Sequence, residues 1–243
     1  MFRYIVNNTA FNAKLLNLNN PAKWSCIGYS KKGIGQSFYI PQIDTMINTG
    51  VQLVSGNNVT NYLYPKNLLI TQNTVENNRF IDNHINPKNI LCHDLTNMSN
   101  KYIQVDNEET YSLDNISVAT HLLNNNIPSY GYGITYNNEK QLMIMGNTSI
   151  NAFYSFNEWK EYPVIIVDCA NYCNYPTNIS RYHNDYYISW KDLVPIVTQY
   201  TNIKFILTNS DTNINTDDIS YINKIIKYSF NNYNIDNVYP WID

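Results

Sequence analysis

Charge is scarce in this sequence. Only 14% of its 243 residues are Asp, Glu, Lys or Arg, and 16 basic against 19 acidic residues leave a formal net charge of -3, where an average domain is about 25% charged. Just three of the basic residues are arginines, Arg3, Arg79 and Arg181. The bidentate fork that suits phosphate recognition is therefore nearly missing, and nucleic acid is not an expected partner. Long apolar runs are absent too: none reaches the roughly 18 residues of a membrane span, and Asn7, Asn8 and Asn12 interrupt the amino-terminal stretch where a secretory signal needs an unbroken apolar core. No membrane partner is expected. Cysteine is limited to Cys26, Cys92, Cys169 and Cys173, too few and too scattered for a disulfide framework, so these read as reduced, mostly buried thiols. The glycine clusters Gly33-Ile-Gly35 and Gly131-Tyr-Gly133 lack the third glycine or the Lys-Ser/Thr of a phosphate loop and read as turn or bulge glycines. Neither G-x-S-x-G nor H-E-x-x-H occurs.

What fills the chain instead is amide and phenol: 42 Asn and 22 Tyr. Tyrosine brings a large rigid contact area with a polar tip and little conformational entropy to lose. With so little charge to repel like molecules, the composition suggests a self-associating protein.

Along the chain, Phe11, Leu15 and Leu16 recur at roughly helical spacing before Pro21, which predicts a short helical arm over residues 1–20. From Trp24 to about Phe156 short apolar or alternating runs are separated by Asn, Gly and Pro clusters, as in an all-β region. Strands are expected at Gln36–Ile40, Asn67–Thr71, Asn89–Leu95, Lys101–Val105, Tyr130–Tyr136, Gln141–Met145 and Ile150–Phe156, with others at Trp24–Tyr29, Val51–Val54 and Asn61–Tyr64. Asn137-Asn138 marks a tight hairpin between two of them. Pro163–Asp168 and Ile203–Thr208 read as fully buried strands, each followed by helical pattern: Ser189 to Tyr200, then the stripe Ile219, Ile222, Ile225, Ile226 and Phe230. No internal repeat or linker is evident. The fold class is α+β, an antiparallel β-sandwich with an N-terminal helical arm and C-terminal helices packed on it, with residues 21–243 as one domain.

Chemistry-bearing residues are sparse. His84, His93, His121 and His183 are spread out and read as core or surface histidines. A metal set of Cys169, Cys173 and His183 with Cys92 or His93 lacks the two close pairs of a structural zinc site, so no metal and no cofactor is expected. The competing catalytic reading is a metal-dependent phosphodiesterase or nuclease that uses Asp168 and Asp211, acids at the ends of the last two apolar strands. Asp168 itself reads as a buried or capping acid.

Six segments in order, Asn86-Pro-Lys-Asn-Ile90, Lys101-Tyr-Ile-Gln-Val105, the Tyr130–Met145 hairpin, Glu161-Tyr-Pro-Val-Ile165, Trp190–Tyr200 and Tyr239-Pro-Trp-Ile-Asp243, resemble elements of the cypovirus polyhedrins, the matrix proteins of insect-virus occlusion bodies. The resemblance implies a structural protein with no enzymatic role. It implies a homotrimer that packs with itself into a lattice around virus particles in the cytoplasm of the infected cell and is later released. In that picture Phe11, Leu15 and Leu16 form the assembly arm, and ionisation of the tyrosines dissolves the particles at alkaline pH.

Overall fold

Two six-residue segments, Pro65-Lys-Asn-Leu-Leu-Ile70 and Pro87-Lys-Asn-Ile-Leu-Cys92, are near copies of each other, and each forms a strand whose side chains are almost all buried. Apolar residues on both faces of a strand are the signature of parallel pairing, since both faces must then be covered. The computed structural model describes residues 37–40, 43–48, 65–71, 87–93, 102–123, 129–146, 148–171, 188–208 and 237–240. In it the two segments lie side by side and parallel, as β3 (Asn67–Ile70) and β4 (Asn89–Cys92). With β1 (Ser37–Ile40), β2 (Thr45–Asn48) and β5 (Tyr102–Gln104) they form a five-stranded sheet in sequence order, parallel apart from the β1–β2 hairpin.

The likeness runs into the hydrogen bonds. The N–H groups of Lys66 and Asn67 donate to Asp44 O, and those of Lys88 and Asn89 donate to Lys66 O. The Asn89 amide donates to Asn67 Oδ1 at 2.8 Å, and the Asn67 amide to Thr45 Oγ1 at 3.3 Å, each across 22 residues of chain. An internal repeat therefore exists where none was expected. Above this ladder, Asp114 binds Lys66 at 3.0 Å and Lys88 at 3.2 Å, and these hydrogen bonds hold its carboxyl below its usual range.

The second sheet has eight strands. β6 (Thr110–Leu113), β7 (Ile116–Leu123), β8 (Ser129–Tyr136) and β9 (Glu139–Ile144) form an antiparallel meander. β10 (Val164–Asn171), β12 (Lys204–Thr208) and β13 (Val238–Pro240) continue it in parallel, and the short β11 (Ile188–Ser189) pairs with β10. The expected hairpin is there: Asn137 and Asn138 take φ of 52° and 62° between β8 and β9, the left-handed pair that a two-residue turn of this type requires. One face of this sheet packs on the first sheet through Ile47, Leu69 and Leu91 against Tyr132, Ile134 and Ile144. The other face carries α1 (Ala152–Ser155), a 3-10 turn (Glu158–Glu161) and α2 (Trp190–Gln199), packed through Phe153, Trp159, Leu193 and Val197. No described helix is long and apolar enough to cross a membrane.

The antiparallel sandwich is thus corrected to two mixed sheets under a helical layer. Apolar periodicity locates strands and says nothing of their direction, which the crossovers decide. Ile150–Phe156, read as a strand, contains the helix α1, and β2, β6 and β7 were not foreseen. The arm residues Phe11, Leu15 and Leu16, the strands expected at 24–29, 51–54 and 61–64, and the helix expected at 219–230 lie outside the described residues.

The end of α2 is closed by a distant residue. Asn237 Nδ2 donates to the carbonyls of Val197, Tyr200 and Ile203 at 3.2, 3.0 and 2.8 Å, acceptors that the helix terminus leaves open. Asn237→Ala should lower stability by about 2–3 kcal/mol through these orphaned carbonyls. A urea midpoint unchanged within the equivalent of about 0.5 kcal/mol would refute this role.

Candidate functional site

Parallel strands gather their carboxyl ends at one edge, and open α/β sheets bind ligands outside that edge. Here β3 ends into Thr71, β4 into His93 and β9 into Met145-Gly146, while β8, antiparallel to β9, begins at the same edge with Ser129-Tyr130. Residues 71, 93, 130 and 146 are thereby brought together from four segments and two sheets.

Two tyrosines lock the junction. Tyr132, fully buried, donates from Oη to Ile70 O at 2.7 Å, with Leu91 O also at 3.3 Å. It ties the β8 strand to the carbonyls just ahead of Thr71 and His93, and burial holds its phenol well above the usual range. Tyr130 N–H donates to Thr71 O at 2.8 Å. The Tyr130 ring lies 5.0 Å from the His93 ring, centroid to centroid, tilted by 30°. Burial first, and then the nearby Asp106 and Tyr111, push the Tyr130 phenol up. It therefore stays protonated at neutral pH. Gly146, at φ 21°, closes against the cluster: a Cβ there would stand 3.0 Å from Thr71 Oγ1.

Inside this cradle two polar atoms have no hydrogen-bond partner among the described residues, Thr71 Oγ1 and His93 Nδ1, and both are buried. Buried polar groups are nearly always paired, so an unpaired hydroxyl and an unpaired imidazole nitrogen, both adjoining Tyr130, need a reason. One is that they face a ligand.

His93 was read from sequence as an ordinary core or surface histidine; its neighbours come from segments up to about 50 residues away in the sequence, which spacing alone does not reveal. Its position directly after a buried apolar strand was the one available signal. His121 does not join it. It lies on β7 with its ring stacked on Phe156 at 4.4 Å and 3°, on the helical face, while Tyr130 belongs to the core between the sheets. Asp168 is the fifth residue of β10, its backbone paired with Thr208, so it lies within the strand and does not end it. Asp211, Cys173 and His183 lie outside the described residues. Gly131 and Gly133 sit inside β8, not at a turn or bulge.

The sequence matches no family model and no curated protein. The fold does have solved counterparts. The metallo-beta-lactamase fold protein YhfI from Bacillus subtilis is similar at TM-score 0.62 and 11% identity, over 90% of this chain and 94% of that one. Igni18, a metallo hydrolase from Ignicoccus hospitalis, gives 0.58 and 12% over 90% and 94%. An isothiocyanate hydrolase from Delia radicum gut bacteria gives 0.56 and 10% over 86% and 93%. The chain therefore has a metallo-beta-lactamase-type fold. The polyhedrin resemblance is corrected by this likeness, and with it the occlusion-body matrix function, its alkaline dissolution and the expectation of no enzymatic role. An order of short patterns and a Tyr-rich composition do not encode how strands connect, and the connections define this fold.

Proposed function

We propose that this chain is a hydrolase of ester-type bonds acting at the edge formed by Thr71, His93, Tyr130 and Gly146. The observation that carries the reading is the buried, unpartnered His93 Nδ1 beside an equally unpartnered Thr71 Oγ1, at the sheet edge where this architecture places ligands. The fold likeness supports hydrolysis as the reaction class, although a fold hosts many chemistries and the site has to argue for itself.

The names of the similar proteins imply a metal ion. A catalytic zinc takes about three protein ligands from His, Cys, Asp or Glu. Among the described residues no three such side chains gather, and the cradle's described donors are one imidazole and a hydroxyl. This donor set does not fit, so no step here passes through a metal.

What the chain's own residues do is acid–base work. With its proton on Nε2, His93 Nδ1 accepts a proton from a water whose oxygen bonds to the reacting centre. The bond to the leaving-group oxygen breaks, and Nδ1 returns the proton to that oxygen. The Thr71 hydroxyl donates to the oxygen on which charge builds. Tyr132 keeps both strand ends in place and excludes water behind them.

The test is a panel of chromogenic carboxylic esters, phosphomonoesters and phosphodiesters, with and without EDTA. The expected result is turnover that survives the chelator and falls about 10²–10⁴-fold in His93→Gln, the usual contribution of a general base. No turnover of any substrate, or turnover unchanged in His93→Gln, would overturn the reading. Loss with EDTA and recovery with Zn²⁺ would overturn the metal-free step.

A further inference from the structure

The described cations all lie away from the candidate site. Lys66 and Lys88 directly precede β3 and β4, Lys204 opens β12, and Lys140 is the second residue of β9. Lys160 sits in the 3-10 turn that leads into β10. Each is at the amino end of a strand whose carboxyl end meets or neighbours the site, and a four-residue strand separates the two edges by about 13 Å. Three of them are engaged there: Lys66 and Lys88 with Asp114, and Lys140 with Glu161. At the carboxyl edge the nearest described charge is negative, Asp106, close enough to act on the Tyr130 phenol.

The same edge has an apolar lip. Leu122 pairs directly with Tyr130 across β7 and β8, which puts both side chains on one face of the sheet. Tyr130 is buried against His93, yet Leu122 is 46% exposed. A solitary exposed leucine is unremarkable on a surface; here it adjoins the two unpartnered polar atoms.

We infer that the ligand of this edge is an uncharged carbonyl compound bearing an apolar substituent, its oxygen hydrogen-bonded by Thr71 and its substituent laid over Leu122 and Tyr130. A phosphoester would bring one or two negative charges into a cradle with no described cation and a carboxylate nearby, and desolvating an unpaired charge is strongly unfavourable. An uncharged carbonyl asks only for the hydrogen bonds that the two orphan groups offer. This inference rests on the hydrolase reading of the same site and narrows it to carboxylic esters.

Binding tests it independently of turnover. In protein labelled at histidine, the His93 imidazole resonances are assigned by their loss in His93→Gln and followed during titration with two inert probes, N-butylacetamide and phenylphosphonate. N-butylacetamide should shift the His93 signals at millimolar concentration, phenylphosphonate at the same concentration should not, and Leu122→Asp should weaken the amide about tenfold, the equivalent of losing the burial of a few methylene groups. A shift by the phosphonate instead, no shift by either probe, or undiminished amide binding in Leu122→Asp overturns the inference. If the amide binds as expected but no ester is turned over, the hydrolase reading fails and the ligand class stands. If phosphoesters are turned over in a His93-dependent way, the reading stands and this inference falls.

Discussion

Gly133→Ala should destabilise the protein by about 2–4 kcal/mol, a large fraction of the 5–15 kcal/mol that holds a typical domain together. Gly133 lies in the middle of β8, between Ala119 of β7 and Met143 of β9. Its missing side chain is replaced by the Tyr162 ring: a Cβ there would overlap Oη and Cζ of that tyrosine. Tyr162 is 1% exposed and cannot swing into solvent without vacating the core under the helical layer. Burial, and then the neighbouring Glu161, push its phenol up to about 12, against a hydrogen bond with Thr135 that pulls the other way. The variant therefore either displaces a large buried ring and breaks that hydrogen bond or bends a central strand, and overpacking alone costs about 1–3 kcal/mol. Denaturant unfolding of Gly133→Ala, Tyr162→Leu and the double variant decides it. Trimming the ring should make the alanine nearly harmless, so the two changes should be strongly non-additive. A loss below about 0.5 kcal/mol, or simple additivity, would show that the ring does not occupy the glycine's place.

His121→Phe should work in the opposite direction. Both ring nitrogens of His121 are buried with no partner among the described residues, and the ring stacks on Phe156. Phenylalanine keeps the stack and removes two unsatisfied polar atoms. The expected gain is about 1–2 kcal/mol, or roughly 2–8 °C in melting temperature for a chain of this size. The pH dependence separates this from a general packing effect. Burial lowers the pKa of folded His121 below its ordinary 6.5, with Glu158 and Glu108 pulling it up less strongly and Lys140 pushing it further down. As pH falls below 6.5 the unfolded chain takes up a proton that the folded chain resists, so native stability is lost from about pH 6.5 downward, until the folded histidine also titrates. In His121→Phe that loss should disappear, so the gain over the parent protein should widen from pH 7.5 to pH 5. A gain that is constant with pH, or no gain at any pH, would show that the histidine is better satisfied than its surroundings indicate.

Much of the secondary structure was legible in the sequence. The apolar runs at Asn67–Ile70, Asn89–Cys92, Val164–Val167 and Lys204–Leu207 are strands, the Asn137-Asn138 turn is where two amides tolerate left-handed backbone, and Trp190–Gln199 is a helix. β7 escaped notice because Thr120 and His121 interrupt its apolar pattern, although both are buried. The doubled Pro-Lys-Asn was visible in the sequence and unread. It marks neighbouring parallel strands because identical residues at the same height of a parallel ladder meet, as Asn67 and Asn89 do.

The candidate site was hardly legible at all. His93 is one of four scattered histidines, and Thr71, Tyr130 and Gly146 belong to residue types that are unremarkable in a polar, Tyr-rich chain. What the sequence by itself determined is which segments are strands, one hairpin, and the shortage of positive charge that leaves the carboxyl edge without a described cation. These follow from local periodicity, turn chemistry and composition, which need no knowledge of distant partners. Only the tertiary structure decided that β2 to β5 run parallel, that two sheets stack with Tyr132 bridging them, and that Thr71 and His93 share one cradle. The reason is that strand direction and sheet order depend on crossovers whose sequences do not name their partners, and a site assembled from four strand ends exists only once those crossovers have closed.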